Sequence, residues 1–592
     1  MSSASRLILR LLIVGLPLPT LRAQSPQLTR GPYLQAVTPT SVTVRWRTDQ
    51  PTTGRVWYGA NAGSLTSSQR ETQPTLDHSL TLTGLQPITR YAYAVGYDDT
   101  QLAAGADYYV QTAPPVGGTR PFRVWVLGDF GNGSDNQRAV YRAFRNATAT
   151  RPADLWLWLG DNAYCCGTDE QYQQHIFNLY GPTLRNLPFF PTPGNHDYAD
   201  SNTNFDLAYY RLFAGPQRGE AGGVASNSAS YFSADYGNVH LISLDSQGQQ
   251  PDDQKRLFDT TSTQVQWLRR DLAANKLPWV IVFFHHPLYS KGSHDSDTEE
   301  QMRLLRERLT PIFERYGVDL VLNGHSHNYE RFYRLKGHQG LANTFDRNMH
   351  VAETTTARYD GSPNSCPILT KGRGTVYVVN GSGGALGAQS PGYPHPAMLT
   401  GYPGTAGGSM LLDVSDNRLD AQFIAADGSV QDKFTLMKQV SLNRYVSITQ
   451  GESVTLTASW PGQYNWNGGQ TERTVTVTPT QLTTYTVADP QGCLTDAFTV
   501  DVAIPTGAPE QFEGKLVVYP NPTSDQATVN VEIPNARSIR LYVTDGRGVI
   551  LSEKQYTNVT TVNEQVDLPT PGPYVVWIKI GDQTLSRLSF RR

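Results

Sequence analysis

Phe122-Arg123-Val124-Trp125-Val126-Leu127-Gly128-Asp129-Phe130-Gly131 sets the pattern that organises this chain: a short, β-rich, nearly continuous apolar run that ends in glycine and a carboxylate. An apolar run ahead of a polar block recurs with Leu155 to Leu159 ahead of Gly160-Asp161-Asn162-Ala163-Tyr164, with Trp279 to Phe284 ahead of His285, and with Val318 to Leu322 ahead of Gly324-His325-Ser326-His327. A further polar block, Gly194-Asn195-His196-Asp197, lies between them. Runs this short and this apolar are expected for strands buried on both faces, as in the parallel sheets of layered α/β folds. Polar blocks that follow such strands collect at one edge of the sheet, where these folds bind ligands. The leading glycine lets the backbone turn sharply and approach an ion closely.

Taken singly, each block has an ordinary structural reading. Gly-Asp after a strand is commonly a turn with a helix cap, Asn195 an αL turn residue, and His285, beside aromatics and Pro287, a core histidine. His325 and His327 are two residues apart and so face one side of an extended segment, which suits metal ligation better than a helix does. Together the five blocks supply the oxygen and nitrogen donors that two metal ions need, and their joint occurrence outweighs the separate structural readings.

The order and content of these blocks resemble the calcineurin-like metallophosphoesterases, and more closely the purple acid phosphatases, over roughly residues 27 to 437. Tyr164 in Gly-Asp-x-x-Tyr and the run Gly324-His325-Ser326-His327-Asn328-Tyr329-Glu330-Arg331 narrow the likeness. The resemblance implies a multidomain protein whose centre is a layered α/β sandwich, β-sheets flanked by helices, with β-sandwich domains before and after it. It implies Asp129, Asp161, Tyr164 and His327 as ligands of Fe(III), and Asp161, Asn195, His285 and His325 as ligands of a divalent ion, Asp161 bridging the two. The donor chemistry agrees: a phenolate with carboxylates is a hard, anionic set, while imidazoles with an amide oxygen suit Zn, Fe(II) or Mn(II). The implied reaction is hydrolysis of a phosphate monoester by metal-bound hydroxide, without a phosphoenzyme. Tyrosinate on ferric iron implies a visible charge-transfer band.

Two histidines are expected to act on the substrate. His196, one past Asn195, is placed to bond the phosphate or protonate the leaving alcohol; His294, in Lys291-Gly292-Ser293-His294, aligns with a second substrate histidine of the family. Family members often carry another histidine next to it, but here Asp295 follows, which puts leaving-group protonation and an acidic pH optimum in question. His286 is expected to stand behind the ligands, and Glu330 and Arg331 to form an internal ion pair that supports the histidine loop.

Residues 1–23 read as a secretory signal peptide: Arg6 and Arg10, an apolar stretch from Leu11 to Leu18, and Ala23 before Gln24. No later stretch of about 18 apolar residues follows, so no membrane span is expected in the mature chain. Residues 24–114 alternate in short runs, and Trp46 with Leu85-Gln86-Pro87-Ile88-Thr89-Arg90-Tyr91 resembles the core and tyrosine corner of a fibronectin type III sandwich, which the larger purple acid phosphatases carry here. The catalytic domain is expected over 119–437, and an Ig-like β-sandwich of about seven strands over 439–504. After a Pro/Gly-containing linker (505–514), Tyr519-Pro520-Asn521-Pro522 opens a segment, 515–592, that resembles the C-terminal sorting domain of type IX secretion substrates. That resemblance implies the type IX secretion machinery as a partner, passage through the periplasm, and secretion or attachment at the cell surface.

A length of 592 residues accommodates about four domains. The net charge of −3 is spread along the chain and provides no basic field for nucleic acid. The four cysteines suit an oxidising compartment. Cys165 and Cys166 are able to bridge one another, to pair one member with Cys366, or to stay reduced, and Cys493 completes the set; the sequence does not choose. Three functions remain open at this point: an exported dinuclear-metal acid phosphatase; a phosphodiesterase or nucleotide hydrolase on the same site, decided by the loops from Phe205 to Val224 and Asp346 to Cys366; and an inactive surface adhesin, which the complete ligand set disfavours.

Overall fold

The computed structural model describes residues 24–200, 205–503 and 514–592. The signal peptide expected at 1–23 and nearly all of the 505–514 linker lie outside the described residues.

The apolar runs form the strands Phe122–Leu127, Leu155–Trp158, Trp279–Phe283 and Leu320–Asn323. They belong to two different sheets. Phe122–Leu127, Leu155–Trp158 and Phe189–Pro191 pair in parallel in one; Val239–Ser243, Trp279–Phe283, Leu320–Asn323 and Thr375–Asn380 pair in parallel in the other. Because side chains alternate along a strand, each sheet has an inner and an outer face. Val124, Val126, Leu155 and Leu157 of the first sheet share one core with Ile281, Phe283, Leu320 and Leu322 of the second. The outer face of the first sheet, Trp125, Trp156 and Trp158, packs on Val140 and Phe144 of the helix Asp135–Ala147, with Trp125 stacked 3.7 Å from Phe144. The outer face of the second, Val280, Val282 and Val321, packs on Leu268, Leu305 and Leu309 of the helices Thr263–Ala274 and Glu300–Tyr316. The result is the helix–sheet–sheet–helix sandwich expected from the sequence. Truncating one of its buried tryptophans to alanine costs about 3–5 kcal/mol.

The first sheet has ten strands and runs without a break into the N-terminal region, through a parallel bridge between Gln35 and Phe189. Strands Leu28–Gln35, Ser41–Thr52 and Thr75–Thr83 extend it, and a separate five-stranded sheet around Gly54–Gly59 and Arg90–Tyr97 faces them across Trp46, Leu82 and Tyr93. The Tyr91 hydroxyl accepts from the Gln86 N–H at 2.9 Å, the closure of a tyrosine corner.

Beyond Met437 the described residues form a four-stranded and a two-stranded sheet around Trp460, Trp466 and Phe498, six strands where about seven are expected. Cys366 bonds Cys493, which ties the 346–366 segment to this unit, and Tyr359 OH adds a bond to Asp489 at 3.1 Å. Cys165 bonds Cys166. A five-stranded sheet, Lys515 to Arg591, closes the chain. No helix among the described residues is long and apolar enough to cross a membrane.

Candidate metal centre

The five polar blocks meet where the carboxyl ends of the two parallel sheets face one another. Asp129, His285 and His325 each lie two residues past the end of a strand. Asp129 (φ 57°), Asp161 (φ 49°) and His325 (φ 68°) occupy the left-handed region, uncommon for residues other than glycine although Asp and His adopt it more readily than most. Asn195 is right-handed helical instead (φ −65°), and the left-handed residues of its turn are Ala199 (φ 52°) and Asp200 (φ 61°).

Two glycines are required by contact. A Cβ on Gly194 would lie 2.2 Å from Asp161 Oδ1, and one on Gly324 would lie 2.4 Å from Asp129 Oδ2. Each carboxylate gives one oxygen to the backbone, since Asp161 Oδ1 accepts from the His196 N–H at 2.8 Å and Asp129 Oδ2 from the His325 N–H at 2.9 Å. The other oxygen of each is turned into the site.

There the donors fall into two sets. In the first, Tyr164 OH lies 3.1 Å from Asp129 Oδ1, 3.2 Å from Asp161 Oδ2 and 3.2 Å from His327 Nε2. In the second, Asn195 Oδ1 lies 2.9 Å from His285 Nε2 and 3.1 Å from His325 Nδ1, and His285 Nε2 is 3.2 Å from Asp161 Oδ2. Asp161 Oδ2 belongs to both. Bonds of about 2.1 Å to a cation place neighbouring donors about 3.0–3.4 Å apart, so both sets have the spacing of a coordination shell.

Proton counting leads to the same conclusion. His285 Nδ1 is held by the Leu159 carbonyl at 2.9 Å, which leaves a bare Nε2 on the neutral ring facing the oxygens of Asn195 and Asp161. The Asn195 amide nitrogen donates to Asp200 Oδ1 at 2.9 Å, which fixes its oxygen inward. Burial would lower the His285 pKa, but the Asp161 and Asp129 carboxylates raise it to about 9. Burial, then the same two carboxylates, push the Tyr164 phenol well above its ordinary value. Burial would raise the Asp161 carboxyl, and His285 reverses this and carries it below the usual range. The cluster calls for positive charge, which protonated histidine or bound cations supply.

His196 leans over the first set, its ring 4.3 Å from that of Tyr164, with Nδ1 bonded to the Cys165 carbonyl at 2.8 Å and Nε2 3.8 Å from Asp161 Oδ2. His294 stacks on His325 at 3.8 Å. Glu299, which the sequence reading missed, joins these two: its carboxylate takes His294 Nδ1 at 2.7 Å and His325 Nε2 at 3.2 Å. A histidine that ligates through one nitrogen characteristically bonds such a carboxylate through the other. Its only sequence signal is a carboxylate five residues past His294. Asp295, the departure from the family pattern, turns to Lys291 Nζ at 2.7 Å. His286 is buried behind the ligands, bonded to Ser246 Oγ at 2.8 Å, and burial together with the neighbouring histidines lowers its pKa well below the ordinary value.

The expected Glu330–Arg331 ion pair does not form. Neighbours on the strand Tyr329–Leu335 point to opposite faces. Arg331 bonds Asp432 through two nitrogens, at 2.6 and 3.0 Å. Glu330 accepts from Ser290 Oγ at 2.6 Å and the Lys291 N–H at 3.1 Å, and burial raises its pKa to about 7. Glu330 still supports the active-site loop, through the 290–291 backbone rather than through its neighbour.

Residues 122–329 match the calcineurin-like phosphoesterase family, 31–112 the purple acid phosphatase N-terminal domain and 517–588 the secretion system C-terminal sorting domain. Purple acid phosphatase 15 of Arabidopsis thaliana is 28% identical over 291 residues, 44% of this chain and 50% of its own length. Acid phosphatase type 7 of Homo sapiens is 28% identical over 376 residues, 58% of this chain and 75% of its own. A purple acid phosphatase solved from seeds of yellow lupin (Lupinus luteus) shares the fold, with a TM-score of 0.55 at 19% identity over 69% of this chain and 74% of that one. Residues 122–329 thus form a calcineurin-like phosphoesterase domain, of a family of metal-dependent phosphoric ester hydrolases. Within that family the chain's homologues are purple acid phosphatases, and it carries their N-terminal domain together with a sorting domain that implies export.

Proposed function

We propose that this protein is an exported acid phosphatase that hydrolyses phosphate monoesters at a dinuclear centre. The observation that carries the reading is the position of Asp161 Oδ2, within 3.2 Å of both Tyr164 OH and His285 Nε2 and so common to both donor sets. Asp129, Asp161, Tyr164 and His327 would hold Fe(III), and Asp161, Asn195, His285 and His325 a divalent ion, whether Zn, Fe(II) or Mn(II). When bound, the two ions supply Lewis acidity and a water of lowered pKa for in-line displacement at phosphorus. His196 Nε2 faces the open side of the first set, where it hydrogen-bonds a phosphoryl oxygen or passes a proton to the leaving alkoxide. Glu299 holds His294 and His325 in one orientation, so His294 offers its Nε2 to the same phosphoryl group.

The test is turnover of p-nitrophenyl phosphate against bis(p-nitrophenyl) phosphate by the purified mature chain, with metal content measured on the same sample. Preference for the monoester with two metals per chain supports the reading. Preference for the diester moves the protein to the phosphodiesterases on the same site.

A further inference from the structure

The edge of the first sheet opposite the candidate metal centre, where the parallel strands begin, carries a cavity of about 820 Å³. It opens where the N-terminal sandwich meets the phosphoesterase domain. Arg90 and Tyr109 come from the sandwich, and Arg120, Arg145, Arg151 and Arg185 from segments at the start of the strands Phe122–Leu127, Leu155–Trp158 and Phe189–Pro191. Arg185 pairs with Asp107 at 3.1 Å and Arg151 with Asp413 at 3.0 Å. Among the described residues Arg90, Arg120 and Arg145 form no ion pair, and all three are exposed. Asp154 also lines the cleft and interacts with Arg120, so the lining sets five arginines against two carboxylates, Asp107 and Asp154, an excess of positive charge on a chain whose net charge is −3. The Arg90 guanidinium lies over the Tyr109 ring, 3.4 Å from its centroid, a cation–π contact that holds it at the cleft. Pro121 and Pro182 add flat apolar wall between the charges.

We propose that this cleft binds an acidic glycan, its sulfate or carboxylate groups taken by Arg90, Arg120 and Arg145 and its sugar faces by the exposed prolines Pro121 and Pro182. Guanidinium forks match planar and tetrahedral oxyanions through paired N–H donors. A volume in the upper part of the roughly 300–1,000 Å³ range of ligand sites accommodates an oligomeric ligand rather than a single small anion. The sorting domain sends the chain to where extracellular polysaccharide is encountered. Because the cleft is at the far edge of the sheet from Asp161 and His285, glycan binding is independent of the phosphatase reading and holds even if that reading fails.

The test is calorimetric titration of the full mature chain, with saturating inorganic phosphate present to occupy the metal centre. Four probes are compared: chondroitin sulfate oligosaccharides, oligogalacturonates, uncharged dextran oligosaccharides and single-stranded oligodeoxythymidine. The expected result is salt-sensitive binding of one or both acidic glycans and none of dextran, weakened at least tenfold in the triple variant R90A/R120A/R145A with circular dichroism unchanged. The glycan that binds distinguishes sulfate from carboxylate recognition. No binding of either acidic glycan, equal binding by the triple variant, or equally tight binding of the oligodeoxythymidine overturns the proposal. If the triple variant misfolds, Arg120→Ala and Arg145→Ala, each at an exposed position, decide by the same criterion.

Discussion

His285 Nε2 lies 3.2 Å from Asp161 Oδ2 while its Nδ1 is committed to the Leu159 carbonyl at 2.9 Å. On the neutral ring this geometry sets lone pair against lone pair, a conflict that a proton on Nε2 or a bound cation relieves. The same excess of acceptors surrounds Tyr164 OH, whose one proton faces Asp129, Asp161 and His327. Two cations that share Asp161, as proposed, would relieve both conflicts at once, and the predictions below test that proposal.

Asn195→Ala removes the amide oxygen that meets both His285 and His325. Divalent metal is expected to be lost, with a fall in turnover beyond the roughly 10–100-fold that loss of an outer partner causes. Metal analysis beside turnover checks this, and a variant that keeps full metal and full activity refutes the ligand role.

His196→Ala is expected to lower turnover by about 10²–10⁴ while both metals stay bound. The His196 N–H to Asp161 Oδ1 bond is made by the backbone and survives the change. Loss of metal in this variant means that the side chain supports the centre instead of acting on substrate.

Away from the site, His240 is buried between Asp235 Oδ1 at 2.7 Å and Asp271 Oδ2 at 2.8 Å. Burial alone lowers its pKa, and the two carboxylates raise it to about 9 from 6.5. A raised histidine pKa stabilises the fold fully below the unfolded value, and the contribution is lost as pH rises from about 6.5 through 9. The span corresponds to roughly 3 kcal/mol. Urea denaturation at pH 6 and pH 9.5 should show wild type losing more stability than His240→Leu over that interval; an equal loss contradicts the assignment.

Asp432→Ala leaves Arg331 buried without its counter-ion, at 2% side-chain exposure. The cost is expected to be about 3–5 kcal/mol. A midpoint of denaturation close to wild type refutes the pairing, whereas Glu330→Gln should be mild, because burial already favours the protonated acid.

Much of the site was legible because ligands that follow buried strands announce themselves locally, by an apolar run, a glycine and a polar residue, as at Leu127-Gly128-Asp129. The layered sandwich was implied by the family resemblance, because Val124, Trp125 and Val126 are all apolar and only the structure assigns them to opposite faces. Partnerships across the chain were not. Asp432 is 101 residues from Arg331, and adjacency in sequence wrongly favoured Glu330. Glu299 sits in an acidic run with Asp295, Asp297 and Glu300, and only the start of the helix at Glu300 decides which carboxylate turns toward His294. The bridge from Gln35 to Phe189, which joins the N-terminal sandwich to the catalytic sheet, involves a single residue pair and leaves no pattern to read.

The most direct test of the shared-Asp161 centre is the visible absorption spectrum of the purified mature protein, recorded with metal analysis and compared with Tyr164→Phe. The account predicts two metals per chain, one of them iron, and a broad visible band in wild type that the Tyr164→Phe variant lacks. Two metals without such a band, or a band that survives removal of the phenol, contradicts Tyr164 as a ligand of ferric iron.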